Sequence, residues 1–195
     1  MKKFLFLLAL ISFFSCNKTQ IKNTNPVEDL RAKKMAEFVD PTKSPLDVEE
    51  LKTFKGIAFF DFDEKYKVKA TLTKMPDMPV FDMPHSLNRT YKYQKFGEAT
   101  FSLFDKKFTL PVYTNENLQK DSLLFFSFTD LTNGKQTYGG GKYMDVHYDG
   151  VSNEIELDFN ESYFPYCAYS HRYSCPIVPK ENHIALEIKA GEKYK

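Results

Sequence analysis

The chain has 195 residues, with 27 Lys and Arg against 26 Asp and Glu and a formal net charge of +1. So even a balance argues against a nucleic-acid footprint, which needs a clustered basic face, and the length allows one domain once a leader is set aside. Nineteen Phe, 12 Tyr and no Trp, many of them on short alternating runs, point to a sheet-based core.

The N-terminus reads as a processing signal. Lys2 and Lys3 precede an apolar run, Phe4 to Phe14, which is far shorter than the ~20 residues of a membrane span. Ser15-Cys16 then places a small residue before a cysteine. The pattern resembles a bacterial lipoprotein signal, with cleavage before Cys16 and lipidation of its thiol. The aromatic Phe13 and Phe14 make the box a loose one. An ordinary secretory signal with an incidental cysteine, or an uncleaved anchor, are the alternatives. The expected division is signal 1–15, tether 16–25 and a single β-rich domain 26–195. The tether residues cannot bury a core, and several acyl chains on Cys16 would make a stable anchor. The expected setting is the bacterial envelope, facing the periplasm in preference to the surface, with the membrane as partner through Cys16.

Asn25-Pro26-Val27-Glu28 signals a helix start, with a cap, a proline at the first position and a glutamate suited to a capping box. Val27, Leu30, the stem of Arg31, Met35 and Phe38 share one face, and the helix should stop before Pro41. Ser44-Pro45-Leu46-Asp47 predicts a short second helix through about Lys52, with Gly56 as its exit. Strands follow. Residues 66–72 and 99–103 alternate. Asp105-Lys106 reads as a hairpin before 108–112, and Ser122 to Phe128 is a continuous apolar run. Asn133-Gly134 and Asp149-Gly150 are turn signals, the latter joining 143–148 to 154–159 as a hairpin. His183 to Ile188 is a last strand. Residues 75–84 carry Pro76, Pro79 and Pro84 and read as a loop. Its Met and Phe residues either pack on the end of the sheet or line a binding mouth. Turns every eight to twelve residues predict a mainly β fold, an antiparallel barrel-like or sandwich domain with an N-terminal helical segment.

The segment from Asp158 to Glu192 mixes polar, aromatic, cysteine and proline residues without a period, and specific chemistry is expected there. Cys167 and Cys175 form an even pair in an oxidising compartment. A disulfide between them would add about 2.5 kcal/mol on a chain-entropy estimate. With His171 and His183 they also form a C-x3-H-x3-C-x7-H series that zinc could use, although the flanking prolines argue against a helix and no metal is assigned. In a third reading Cys167 is a nucleophile, with His171 or His183 as base and Asp158 or Glu181 as orienter. Its thiolate would need an electropositive neighbour, for which Arg172 is the local choice. Tyr138, Lys142, Asp158, Asn160, Tyr169, Glu181 and Asn182 are the ligand-binding candidates. Asp158 and Glu181 could divide acid and base roles, or the Asp and Asn side chains could simply bond nearby backbone. Gly139-Gly140-Gly141 lacks the following Lys-Ser or Lys-Thr of a phosphate loop and reads as a bend or a close backbone approach.

Tyr138-Gly-Gly140, Lys142-Tyr143, Asp158-Phe-Asn160, Cys167-Ala-Tyr169, Cys175-Pro176, Glu181-Asn182 and Ala190-Gly-Glu192-Lys193 together resemble the bacterial domain-of-unknown-function family numbered 1684. Ser44-Pro45-Leu46 and Phe54-Lys-Gly-Ile57 extend the likeness to about Asp29 through Lys193. The resemblance implies no established activity. Lys142 stands where the family usually has Arg, and Lys180 where it tends to have a second Pro. An ammonium cannot hold a carboxylate in two bonds as a guanidinium does. Relatives without export signals keep both cysteines, which implies packing, metal or redox work for the pair. The expected function is an envelope lipoprotein that binds a small ligand or partner at one end of the sheet, without cofactor. A hydrolase or redox enzyme using Cys167 or the Asp158 and Glu181 carboxylates is the alternative, and a purely structural scaffold with a filled interior is the third.

Overall fold

The computed structural model describes residues 25–120 and 122–195; the signal segment, Cys16 and the tether up to residue 24 lie outside them. In chain order the elements are helices α1 (Pro26–Val39) and α2 (Val48–Thr53) and strands β1 (Ala58–Phe59), β2 (Lys67–Lys74), β3 (Val80–His85), β4 (Arg89–Leu103) and β5 (Lys106–Thr114). Helix α3 (Glu116–Lys120) follows, then β6 (Leu123–Asp130), β7 (Lys142–His147), β8 (Glu154–Asp158), β9 (His183–Ile184) and β10 (Glu192–Lys193).

Asn25 caps α1 by accepting from the Val27 N–H, and Pro26 occupies the first turn. Glu28 does not complete a capping box; its carboxylate takes Arg31 Nη1 at 3.1 Å instead. Val27, Arg31 and Phe38 form the buried stripe, whereas Leu30, expected on that face, is 44% exposed. The cap of α2 is Asp47, whose side chain and Glu50 make a reciprocal box. Ser44, which opens the expected Ser44-Pro45-Leu46-Asp47 start, lies before the helix and donates to Phe38 O.

The main sheet is antiparallel and runs β7-β6-β5-β4-β2-β8, curled into a nearly closed barrel. The chain turns between β4 and β5 at Phe104 and Asp105, both with positive φ, so that Leu103 pairs with Lys106. Three strand expectations need correction. Residues 80–85 are not loop: β3 pairs with Arg89–Gln94 of β4. Pro84 is tolerated because β3 is an edge strand, and its carbonyl accepts the Ile177 N–H at 2.8 Å. Strands β7 and β8 are not a paired hairpin. They stand at the two ends of the six-strand path, and β8 pairs with β2. The chain closes the gap after β8, where Tyr163 and Tyr143 exchange both backbone hydrogen bonds at 2.9 Å. Of residues 183–188, only His183–Ile184 is strand, running parallel to β6. The terminal β10 pairs instead with β1.

The interior is filled. Phe101, Phe126, Phe128 and Phe159 meet with ring centroids 5.2 to 6.3 Å apart, surrounded by Leu72, Leu110, Met144 and Leu157. Such a packed centre holds the fold together, and it leaves functional space only outside the barrel. There the C-terminal segment wraps the sheet. A second apolar cluster of Met83, Tyr93, Tyr113, Phe125, Tyr143 and Cys175 forms beneath it, and a third joins Phe38 of α1 to Leu46 and Ile57.

Candidate functional site

Glu192 organises the outer face. It sits on β10 with 0% exposure. Its Oε2 accepts from the Phe164 N–H at 2.7 Å and the Tyr169 hydroxyl at 2.6 Å, and its Oε1 pairs with Lys34 Nζ of α1 at 2.5 Å. One carboxylate thus ties the helix, the C-terminal loop and the short sheet together. A buried carboxylate needs such partners, although Oε1 meets Lys34 as an ion pair without hydrogen-bond geometry. Burial, with the Glu192 charge adding to it, pushes the Tyr169 phenol far above its usual value.

Above this knot lies a cleft of about 520 Å³ between α1 and the 159–166 segment. Arg31, Lys34, Phe59, Asp145, Tyr163 and Cys175 are among its walls. The Arg31 guanidinium lies 4.8 Å from the Phe59 ring centre. Its Nη2 donates to Asn160 O at 3.4 Å, while its buried Nε has no hydrogen-bond acceptor among the described residues. Lys34 stands 4.5 Å from the Tyr163 ring centre. The Tyr163 hydroxyl donates to Asp145 Oδ2 at 2.9 Å, and burial together with that carboxylate holds the phenol well above its usual range.

The residues singled out in the sequence do not converge on one site. Asp158 accepts from both the N–H and the side-chain amide of Asn160, and Asn160 exchanges two further bonds with the backbone of Asp63. Asn160 also reaches the cleft wall. Asn182 donates to Pro111 O at 3.0 Å and Ser127 O at 2.8 Å. It bridges β5 and β6, whose ladder is reduced to Tyr113 and Phe125, where Pro111 has no N–H to give. Glu181 is exposed and takes the Tyr113 hydroxyl at 3.5 Å, in surroundings separate from those of Asp158. Lys142 is 0% exposed and bonds Ile188 O at 2.8 Å and Ala190 O at 3.2 Å, with Asp130 Oδ2 at 3.3 Å. The acid it holds is the chain's own. Burial draws its ammonium down to about 8, against the pull of Asp130. Gly141 beside it makes the close approach expected of the glycine run: a Cβ there would lie 2.6 Å from Phe128 O.

Tyr138 joins the cysteines, with its hydroxyl 3.9 Å from Cys167 Sγ. Both cysteines are free thiols, and the Cys167 N–H donates to Cys175 Sγ at 3.3 Å. The zinc series does not assemble. Among the described residues no three His, Cys, Asp or Glu side chains gather to hold a metal. His183 is bonded to Thr129 and His171 is exposed, so the groups around Cys167 are Cys175, Tyr138 and Ser86 in place of an imidazole. Arg172 turns away to Pro45 O and Glu50. The Met and Phe residues of the proline-rich stretch do both things allowed them. Met83 is fully buried, and Met78, Phe81 and Met83 line a second groove of about 530 Å³ with Ile177 and Val178.

Sequence reasoning missed Glu192 as the hub and Arg31 and Lys34 as its companions. The signals were an arginine on the apolar stripe of α1 and a glutamate directly after the buried Ala190-Gly191 pair.

The family model described as a protein of unknown function, DUF1684, matches residues 52–193. That stretch holds Glu192, Tyr163 and both cysteines, whereas α1 and Ser44-Pro45-Leu46 precede it. A solution NMR structure of an uncharacterized protein from gene locus rrnAC0354 of Haloarcula marismortui is similar, with 34% identity and a TM-score of 0.68 over 86% of this chain and 92% of that one. No curated protein matches.

Proposed function

The chain belongs to the DUF1684 family, and from that premise we propose that it is an envelope lipoprotein whose barrel-like domain binds a small, largely apolar ligand in the cleft beneath α1. The leader Lys2-Lys3, the short apolar run and Ser15-Cys16 support the export and anchoring. Among the described residues no helix is long and apolar enough to cross a membrane. The observation that carries the binding role is Arg31 Nε, a buried donor on the cleft wall without an acceptor among the described residues. Leaving such a group unpaired costs about 1–3 kcal/mol, and a ligand acceptor would recover it. The aromatic faces of Phe59, Tyr143 and Tyr163 suit a flat apolar body, and a carboxylate is the acceptor a guanidinium holds best. The ligand class is therefore a small aromatic or aliphatic acid.

Benzoate and benzylamine, titrated separately into ¹⁵N-labelled protein, distinguish this reading. Benzoate should shift the amides of α1 and of residues 159–166, saturably, and Arg31→Met should abolish the effect while leaving the spectrum folded. Equal responses to the amine, or shifts scattered away from the cleft, would overturn it.

A further inference from the structure

We infer that Cys167 and Cys175 are a redox-active dithiol that exchanges with disulfides, with Cys167 as the attacking sulfur and Cys175 as the resolving one. Cys175 is also a wall of the ligand cleft, and the placement rests on the contacts around the two sulfurs.

The two thiols are neighbours yet unbonded, and their surroundings are unequal. Cys167 is partly open to solvent, while Cys175 is 9% exposed. The Tyr138 hydroxyl lies 3.9 Å from Cys167 Sγ, and with the Cys175 thiol and Ser86 it favours the Cys167 thiolate. Hydrogen bonds to a thiolate favour it over the thiol. The bond from Cys175 is the largest influence and brings Cys167 to about 6, against a desolvation that opposes it. The same bond, with burial, holds the Cys175 proton in place. Burial raises Tyr138 to about 12, so its hydroxyl remains a donor at neutral pH. Two contacts with Ser86 fix Cys175. The Cys175 N–H donates to Ser86 Oγ at 3.0 Å, and Ser86 N–H donates to Cys175 O at 2.9 Å.

The chemistry balances with a disulfide as oxidant. The Cys167 thiolate attacks one sulfur of RS–SR; the Cys167–SR bond forms, RS–SR breaks, and one thiolate departs. Cys167 then no longer accepts the Cys175 proton, so the restraint on Cys175 lapses. Its proton passes to the departed thiolate, while the Cys167 N–H, 3.3 Å from Cys175 Sγ, stabilises the new anion. Cys175 attacks Cys167, the intramolecular disulfide forms, and the second thiolate leaves. One disulfide is reduced to two thiols, and two protein thiols are oxidised. The attacking sulfur needs a thiolate near ambient pH and the resolving sulfur needs proximity, and each position has what its role needs.

The test uses the full chain with Cys16→Ser, incubated with oxidised glutathione and followed by intact mass and peptide mapping. The parent should lose two hydrogens. Cys175→Ser should stop at a single glutathione adduct on Cys167, and Cys167→Ser should form its adduct at least about tenfold more slowly, since thiolate fraction and access govern the rate. In the parent, iodoacetamide should alkylate Cys167 at pH 7, and Tyr138→Phe should move that profile to higher pH. This second measurement needs no cysteine variant to fold. No oxidation of the parent, or faster reaction at Cys175, would overturn the assignment.

Discussion

At the scale of single residues, polar side chains buried outside the barrel centre act as fasteners. Asn182 stands in for the ladder that Pro111 interrupts, and Asn160 clamps Asp63. Lys142 spans from β7 to the carbonyls of Ile188 and Ala190 while balancing Asp130. Removing one member of a buried pair leaves the other uncompensated, at a cost of about 3–5 kcal/mol. Lys142→Ala should therefore lower the urea midpoint by an amount corresponding to that loss, and replacing Asp130 as well should recover part of it. A single variant within about 0.5 kcal/mol of the parent, the range of an unremarkable surface change, would show that Lys142 is not held as described.

At the scale of elements, α1 is attached through Glu192 more than through propensity. Its stripe includes a buried arginine, and the Lys34–Glu192 contact at 2.5 Å fastens it to β10. Gly191 makes that strand position reachable. It has φ of +72° and packs against Ser162, where a Cβ would fall 2.2 Å from the carbonyl oxygen, so only glycine suits it. Glu192→Ala should strand the Lys34 ammonium, the Tyr169 hydroxyl and the Phe164 N–H together. Hydrogen exchange should then show α1 and residues 159–170 losing protection well before β4 and β6 do. Loss spread evenly through the barrel would argue against a local hub. Helix α1 and its Asn25 cap were legible because capping residues act within a few positions of their partners, whereas the box expected of Glu28 gave way to Arg31. The partner of Lys34 was not, because it lies far along the chain.

At the scale of the whole molecule, a barrel packed with phenylalanine is jacketed by tyrosines that are hard to ionise. Burial raises Tyr143 and Tyr169, and burial together with Asp145 raises Tyr163. The unfolded chain ionises its tyrosines near pH 10. Below that pH both states hold these protons and the stabilisation is fully present. Above it the unfolded state releases them first, so stability falls as pH rises. Lys142 works in the other direction at lower pH: between about 8 and its unfolded value the unfolded chain holds more protons, and stability rises. The protein should unfold on the alkaline side of pH 10, with the tyrosinate absorbance of the buried set appearing together with the loss of circular dichroism. Tyrosinate absorbance that develops fully while the fold persists would contradict this placement.

The mainly β class, the two N-terminal helices, most strand positions and the family were readable along the chain, whereas α3 was not; alternation, capping and turn chemistry are local and survive reading in one dimension. The sequence also flagged the 158–192 segment as the one that departs from regular structure. The folded contacts alone show that β7 and β8 end the six-strand path of the sheet, that residues 80–85 join it and that the polar candidates fasten separate loops. They alone bring Arg31, Lys34 and Glu192 to one place and set Tyr138 beside Cys167. Those outcomes depend on contacts between residues distant in the chain, where charge pairing and close packing choose partners that no periodicity encodes.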